Sequence, residues 1–306
     1  MTGNERWVRP FGSATADGWD VVVDDRVDGW AHTALHVTTI EDGASRTLAP
    51  DAWERLVVPL EGSLAVAVVD AEGSSASCTL AGRPSVFAGP TDVAYVSRDA
   101  SLTVTAVGGH ARVAVCGARA TRPLTPALNH LPVGDVPVEL RGAGTASREV
   151  RNFGVPGVLD ADALIACEVV TPGGNWSSYP PHKHDDHRPG QESELEEVYY
   201  FEVAPEAGSP ASAGADPVGY QRVYGTDERP IDVFAEVRTG DVVLVPHGWH
   251  GPAMAAPGYD LYYLNVMAGP GPERAWLICD DPAHGWVRET WATQPTDPRL
   301  PLGGTR

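Results

Sequence analysis

Residues 180–203 read PPHKHDDHRPGQESELEEVYYFEV. His182, His184 and His187 fall within six positions, a polar loop follows, and Glu196-Glu197 opens an apolar run. Strand interiors seldom hold imidazoles or carboxylates. In extended chain, alternate side chains share a face, so His182 and His184 point the same way, near enough to chelate one ion, and Lys183 points opposite. By the same period Glu197 and Tyr199 share one face of the next strand, and Glu196, Val198 and Tyr200 the other. A hairpin through the loop would return a carboxylate to the histidines, Glu197 by first choice and Glu196 otherwise. His187 reads as a loop histidine.

Further on, residues 240–252 read GDVVLVPHGWHGP. A Gly turn opens an apolar strand, a Pro-x-Gly closes it, and His250 sits just past the corner with His247 its competitor. A neighbouring strand placed there would bring a third imidazole over the same ion. Three neutral imidazoles and one carboxylate (His182, His184, His250, Glu197) suit one divalent transition metal, Zn, Mn, Fe or Co, better than Mg or Ca. Open coordination positions would face substrate oxygens.

Around these segments the chain of 306 residues alternates in the manner of strands. In the first half WDVVVD, WAHTALHVTTI, ERLVVPLEGSLAVAVVD, SCTLAG, DVAYVSR, SLTVTAV and RVAVCGA recur about every ten residues, the rhythm of a sandwich or barrel. The second half repeats it with ALIACEVV, EEVYYFEV, YQRVYG, IDVFAEV, DVVLVP, DLYYLNVMAG and RAWLICDD. With 33 Gly and 27 Pro, little helix is expected. The division predicted is an N-terminal barrel over 1–140, a linker over 141–155 that overlaps the end of the Pro-, Gly- and Thr-rich stretch 121–150, a C-terminal barrel over 156–290 and an irregular tail over 291–306. The first barrel contains no HxH, and its histidines (His32, His36, His110, His130) are scattered, so metal is expected only in the second.

A formal net charge of −19 argues against nucleic acid and against an anionic membrane surface. A small anionic substrate stays open, because a local Arg or a metal overrules the global field. Cys78, Cys116, Cys167 and Cys279 form no CxxC pair and read as reduced thiols in apolar runs. No apolar stretch marks a signal peptide or a membrane span, which predicts a cytoplasmic protein. Exposed barrel strands make self-association into a homo-oligomer plausible.

The ordered set His182-Lys-His184, Glu197-Val-Tyr-Tyr-Phe and Gly240-DVVLV-Pro246-His-Gly248-Trp-His250 resembles the cupin pattern. It departs in a longer gap from His184 to Glu197 and in one residue rather than two between Gly248 and His250. Both departures, with NWSSYPPHKHD, LEEVYYF, QRVYGTDERPIDVFAEV, GDVVLVPHGWHGP and PGYDLYYLNVMAGP, resemble the 5-deoxy-glucuronate isomerase family of myo-inositol catabolism. The related 4-deoxy-L-threo-5-hexosulose-uronate isomerases share the metal pattern but not this wording. The resemblance implies an all-β double cupin (bicupin) and a metal-dependent aldose–ketose isomerase converting 5-deoxy-D-glucuronate to 5-dehydro-2-deoxy-D-gluconate. Either a base moves a proton between adjacent carbons, with the enediolate stabilised electrostatically, or a hydride shifts. Glu192, Glu196 and Tyr199 are the candidates for moving the proton, with Tyr224 and Tyr263 behind them. Arg222 is the candidate grip for the substrate carboxylate, since a guanidinium binds it with two parallel bonds. An Fe(II)-dependent cupin dioxygenase and a non-catalytic sugar-binding cupin are the competing readings.

Overall fold

The computed structural model describes residues 3–303 of the chain. Strands make up 49% of it and helix 7%, as the turn-rich composition predicts. In the first half one eight-stranded antiparallel sheet is organised by two long strands, Trp53–Val69 and Ser101–Arg119, paired along their length. The sequence reads SLTVTAV and RVAVCGA as two strands; they are one, continuous through Gly108-Gly109. Register shifts near Glu61 and Ser63 kink the pair, so each strand serves both ends of the barrel. Thr33–Ile40 and Ser45–Leu48 flank Ser101–Arg119, and Ser75–Arg83 and Val93–Val96 flank Trp53–Val69. Alternate side chains of these strands, among them Leu64, Val66, Leu80, Leu102, Val104 and Val113, fill an apolar interior of their own.

The second half is two facing sheets. The first runs in the order Val8–Arg9, Val242–Val245, Glu196–Pro205, Tyr259–Ala268, Ile165–Thr171, Arg148–Gly154, Val138–Arg141. The second runs Asp232–Val237, Gly219–Tyr224, Trp249–Ala255, His182–Lys183, Cys279–Asp280, with Trp176–Ser177 beside Trp249–Ala255. A larger apolar cluster joins this half to the first: Leu35, Leu56, Val58, Tyr95 and Cys116 pack with Val198, Tyr200 and Val266.

Polar bonds tie the halves as well. Glu54, fully buried, accepts from the N–H groups of Asp162, Ala163 and Leu164 and from Tyr95 Oη. Arg83 pairs with Glu168, which also takes Arg151 and Tyr262 Oη, and Arg151 in turn takes Glu149.

The chain divides less simply than expected. Val8–Arg9 pairs with Val242–Val245 of the second half. The stretch expected as linker contributes Leu128–Leu131 to the first sheet and both Val138–Arg141 and Arg148–Gly154 to the second half. Arg148–Gly154 escapes detection because Arg148, Glu149 and Arg151 are buried charges that break its apolar period. The tail is anchored too: Leu300 is buried and Asp297 accepts from Asn175 and Arg299. All four cysteines are free, Cys116 and Cys167 buried, Cys78 and Cys279 half-buried. Among the described residues no helix is long and apolar enough to cross a membrane.

Candidate metal centre

The site lies between the two sheets of the second half. Asp185–Arg188 pairs antiparallel with Glu192–Glu194, so the chain does fold back after the histidines and delivers Glu196–Pro205 beside them. Strand alternation then turns Glu197, Tyr199 and Phe201 inward, with Tyr199 and Phe201 stacked at 6.0 Å between ring centres. On the opposite sheet His182 stands directly across from His250 in register. The corner of GDVVLVPHGWHGP depends on its glycines. Gly248 has φ +91° and Gly251 φ +97°; a Cβ on Gly251 would sit 1.8 Å from the Ser178 carbonyl oxygen. This close approach seats His250 inward, whereas His247 remains half-buried outside the cluster.

Donor atoms of His184, Glu197 and His250, all buried, lie within 4.8 Å of one another; among the described residues this is the one such cluster. The His182 ring packs 4.5 Å from that of His250 and 6.4 Å from that of His184. Each imidazole has Nδ1 facing a backbone carbonyl: His182 to Pro180 at 3.3 Å, His184 to Leu195 at 3.3 Å, His250 to Gly248 at 3.2 Å. A carbonyl only accepts, so Nδ1 carries the proton and Nε2 presents a lone pair inward.

Two of those lone pairs confront a carboxylate. Nε2 of His184 and of His250 are each 3.1 Å from Glu197 Oε2. The His250 contact is off the hydrogen-bonding line, which leaves its buried Nε2 without a partner. Acceptors face one another here, and a cation between them would relieve it. Two donors each about 2.1 Å from one ion, at right angles, stand about 3 Å apart, so the spacing fits a metal. Burial opposes ionisation of Glu197, but the His184 and His250 imidazoles beside it outweigh this and hold the carboxyl down at about 2. Burial, with the two neighbouring imidazoles, holds His182 well below the ordinary imidazole range and so neutral.

The other candidates are distributed differently. Glu196 turns away from the metal cluster: its carboxylate accepts from the N–H groups of Ala31, His32 and Thr33 and from Thr33 Oγ1, at 2.6–3.2 Å, fastening the second half to the first. Glu192 is engaged by Lys183 Nζ at 2.6 Å, by the Asp185 N–H at 3.0 Å and by Arg188, on the outer side where Lys183 was expected to point. Arg222 is on the outward face: in Gly219–Tyr224 the side chains of Gln221 and Val223 are buried, and Arg222 instead pairs with Asp232 at 2.5 Å. Tyr224 hydrogen-bonds Asp281 at 2.5 Å, also off the inward face.

Tyr199 does line the site, its ring edge-on to His250 at 6.2 Å. Ser178 Oγ lies 3.2 Å from Tyr199 Oη and 3.1 Å from Tyr263 Oη. Ser178 adopts φ +47°, a conformation costing a non-glycine residue roughly 1 kcal/mol, and it aims the hydroxyl between the two phenols. Burial, with Glu197 next, raises Tyr199 well above its ordinary value, so it keeps its proton. Sequence reasoning passed over Ser178, Gln221 and Asn265. Gln221 is fully buried with neither amide atom bonded, and Asn265 Nδ2 is likewise unpartnered. Tyr199 and Asn265 are direct cross-strand partners and share the inward face. Only the pairing register could have exposed these residues. A cleft of about 940 Å³ runs between the halves past His32, Asp162 and Arg274 and is not lined by His182, His184 or His250. A smaller one, about 430 Å³, borders Trp176 and Tyr179, next to the HxH segment.

A protein of Geobacillus thermodenitrificans named 5-deoxy-glucuronate isomerase is 51% identical over 160 residues, 52% of this chain and 53% of its own length. The chain thus spans about half the length of that relative. One of Bacillus subtilis subsp. natto with the same name is 39% identical over 84% of this chain and 88% of that protein. Among solved structures, an IolB-like protein from Salmonella typhimurium LT2 superposes with a TM-score of 0.78 at 32% identity, over 92% of this chain and 98% of that one. Lactobacillus farciminis oxalate decarboxylase, at 12% identity and a TM-score of 0.62 over 90% of this chain and 88% of that one, shares the fold alone. The architecture is the all-β cupin fold expected. The sequence profile of the KduI/IolB family matches residues 7–287, and the chain belongs to that family.

Proposed function

We propose that the chain is a metal-dependent aldose–ketose isomerase converting 5-deoxy-D-glucuronate to 5-dehydro-2-deoxy-D-gluconate in inositol catabolism. Its centre holds one divalent transition metal, Zn, Mn, Fe or Co, through His184, Glu197 and His250, with His182 as the fourth ligand. The observation carrying this reading is the convergence of two imidazole lone pairs and an ionised carboxylate on one buried point, 3.1 Å apart, in a chain whose relatives bear that enzyme name. When bound, the ion supplies Lewis-acid stabilisation of charge developing on the sugar's oxygens.

The chain's own groups do the rest. Tyr199 Oη keeps its proton and donates a hydrogen bond toward the substrate oxygen on which charge develops, held in place by Ser178. Tyr263 Oη positions Ser178 from the other side. The unbonded amide of Gln221 and the unpartnered Nδ2 of Asn265 take substrate hydroxyls, which offsets the cost of burying them unpaired. The stacked Tyr199 and Phe201 rings and the Val223 side chain keep bulk water from this space. The test is NMR of 5-deoxy-D-glucuronate incubated with purified protein, metal-loaded and chelator-stripped. The ketose should form only with the loaded protein; no product with any of the four metals refutes the assignment.

A further inference from the structure

Resting on that reading, one question stays open: what receives the sugar acid's carboxylate. The chain carries a net charge of −19, so an anion needs a local cation to dock. Arg222 faces outward and is occupied by Asp232.

We propose that Arg148 receives the substrate carboxylate, from behind the Ala146, Tyr179 and Trp291 wall of the cleft beside the HxH segment. Arg148 is 4% exposed, yet among the described residues it forms no ion pair. Among the described residues its hydrogen-bond partners are backbone carbonyls, with Nη1 donating to Ala146 at 2.9 Å and to Tyr179 at 3.5 Å, so Nε and Nη2 are available to an anion. The other deeply buried arginines of this half are answered: Arg151 by Glu149 and Glu168, and, across the interface, Arg83 by Glu168. Ala146, Tyr179 and Trp291, which Arg148 touches or stacks on (5.4 Å to the Trp291 ring), all line the 430 Å³ cleft.

Two more cations stand by. Arg141 is its cross-strand partner and is neutralised by Glu139; Arg288 lies over the same Trp291 ring at 5.1 Å and is neutralised by Asp280. One positive charge is therefore left over, on Arg148. Burial without an anion lowers its guanidinium to about 10, still charged at neutral pH, and a bound carboxylate would supply the missing counter-charge. A chain of contacts joins the cleft wall to the imidazoles: Tyr179 adjoins Ser178 in sequence, the Ser178 hydroxyl reaches Tyr263 and Tyr199, and Tyr199 abuts His250.

The probe is D-glucuronate against D-glucose, titrated calorimetrically into the full chain. Wild type should bind the acid at least tenfold more tightly than the neutral sugar. R148Q should erase that preference while D-glucose binding and metal content stay as in wild type; a purely structural role would move the melting temperature and leave the preference. Should R148Q fail to fold, R148K carries the test, since it keeps the charge and loses the fork: D-glucuronate affinity should fall at least fivefold. No preference in wild type, a preference undiminished in R148Q, or an unchanged D-glucuronate affinity in R148K, overturns the assignment. Binding needs no turnover, so the NMR assay reports on the isomerase reading separately.

Discussion

Glu168 sits at the centre of a charge network sealed between the halves, and replacing it with glutamine is the sharpest test of how they are held together. Its carboxylate, 0% exposed, accepts from Arg83 at 2.5 and 2.6 Å, from Arg151 at 2.9 Å and from Tyr262 Oη at 2.9 Å. Burial opposes its ionisation, but Arg83 and then Arg151 outweigh this and keep it charged. With Glu149 on Arg151, the network holds two guanidinia and two carboxylates, a net charge of zero. Glu168→Gln leaves a net positive charge in a region closed to water. Stranding a buried charge in this way costs about 3–5 kcal/mol. For a protein of this size that lowers the melting temperature by roughly 5–15 °C. Arg83→Met together with Glu168→Gln restores neutrality, because Arg151 keeps Glu149, and should recover at least half of the loss. The assay is guanidinium denaturation of wild type, both single variants and the double, followed by circular dichroism and read as a double-mutant cycle. A loss below about 1 kcal/mol for Glu168→Gln, or a double variant no more stable than that single, would refute the reasoning.

Arg222→Ala should leave KM for the sugar acid within about twofold, because its partner is the exposed Asp232; steady-state kinetics showing a large rise would return Arg222 to the site. Tyr199→Phe removes a preorganised donor and should lower kcat by about 10²-fold with metal content unchanged; an unaltered kcat excludes it from the chemistry. His36, edge-on to Trp19 at 5.3 Å, is depressed to about 4 chiefly by burial, with Arg55 and Arg26 adding to it. The unfolded imidazole titrates near 6.5, so between these values the unfolded chain binds more protons. Its contribution is whole above about pH 6.5 and is lost as pH falls through 4, up to about 3 kcal/mol less a discount for partial exposure. His36→Gln should flatten that acid limb in urea titrations; an unchanged slope contradicts the assignment.

What the sequence revealed followed from local periods. HxH and the alternation of EEVYYFEV are two-residue rhythms, and the Pro-x-Gly corner marks where a third imidazole enters, with His250 and His247 both open until the structure seats His250 inward. Where the prediction failed, the missing information was long-range. Nothing in YQRVYG says which face is inward; that is decided by Val223 pairing with His250, which turns Arg222 out and Gln221 in. Glu196 is bound by N–H groups 163–165 residues earlier in the chain, a contact with no local signal. REVRNFG hides its strand because its buried charges are compensated by Glu168, by one another or, at Arg148, by no carboxylate.

The central claim is one ion gripped by His184, Glu197 and His250. It is tested most directly by elemental analysis of purified protein after loading with Zn, Mn, Fe or Co, beside His250→Gln verified as folded by circular dichroism. Wild type should retain about one divalent ion per chain and the variant close to none. Wild type that binds none of the four, or a variant that holds a full equivalent, would contradict it.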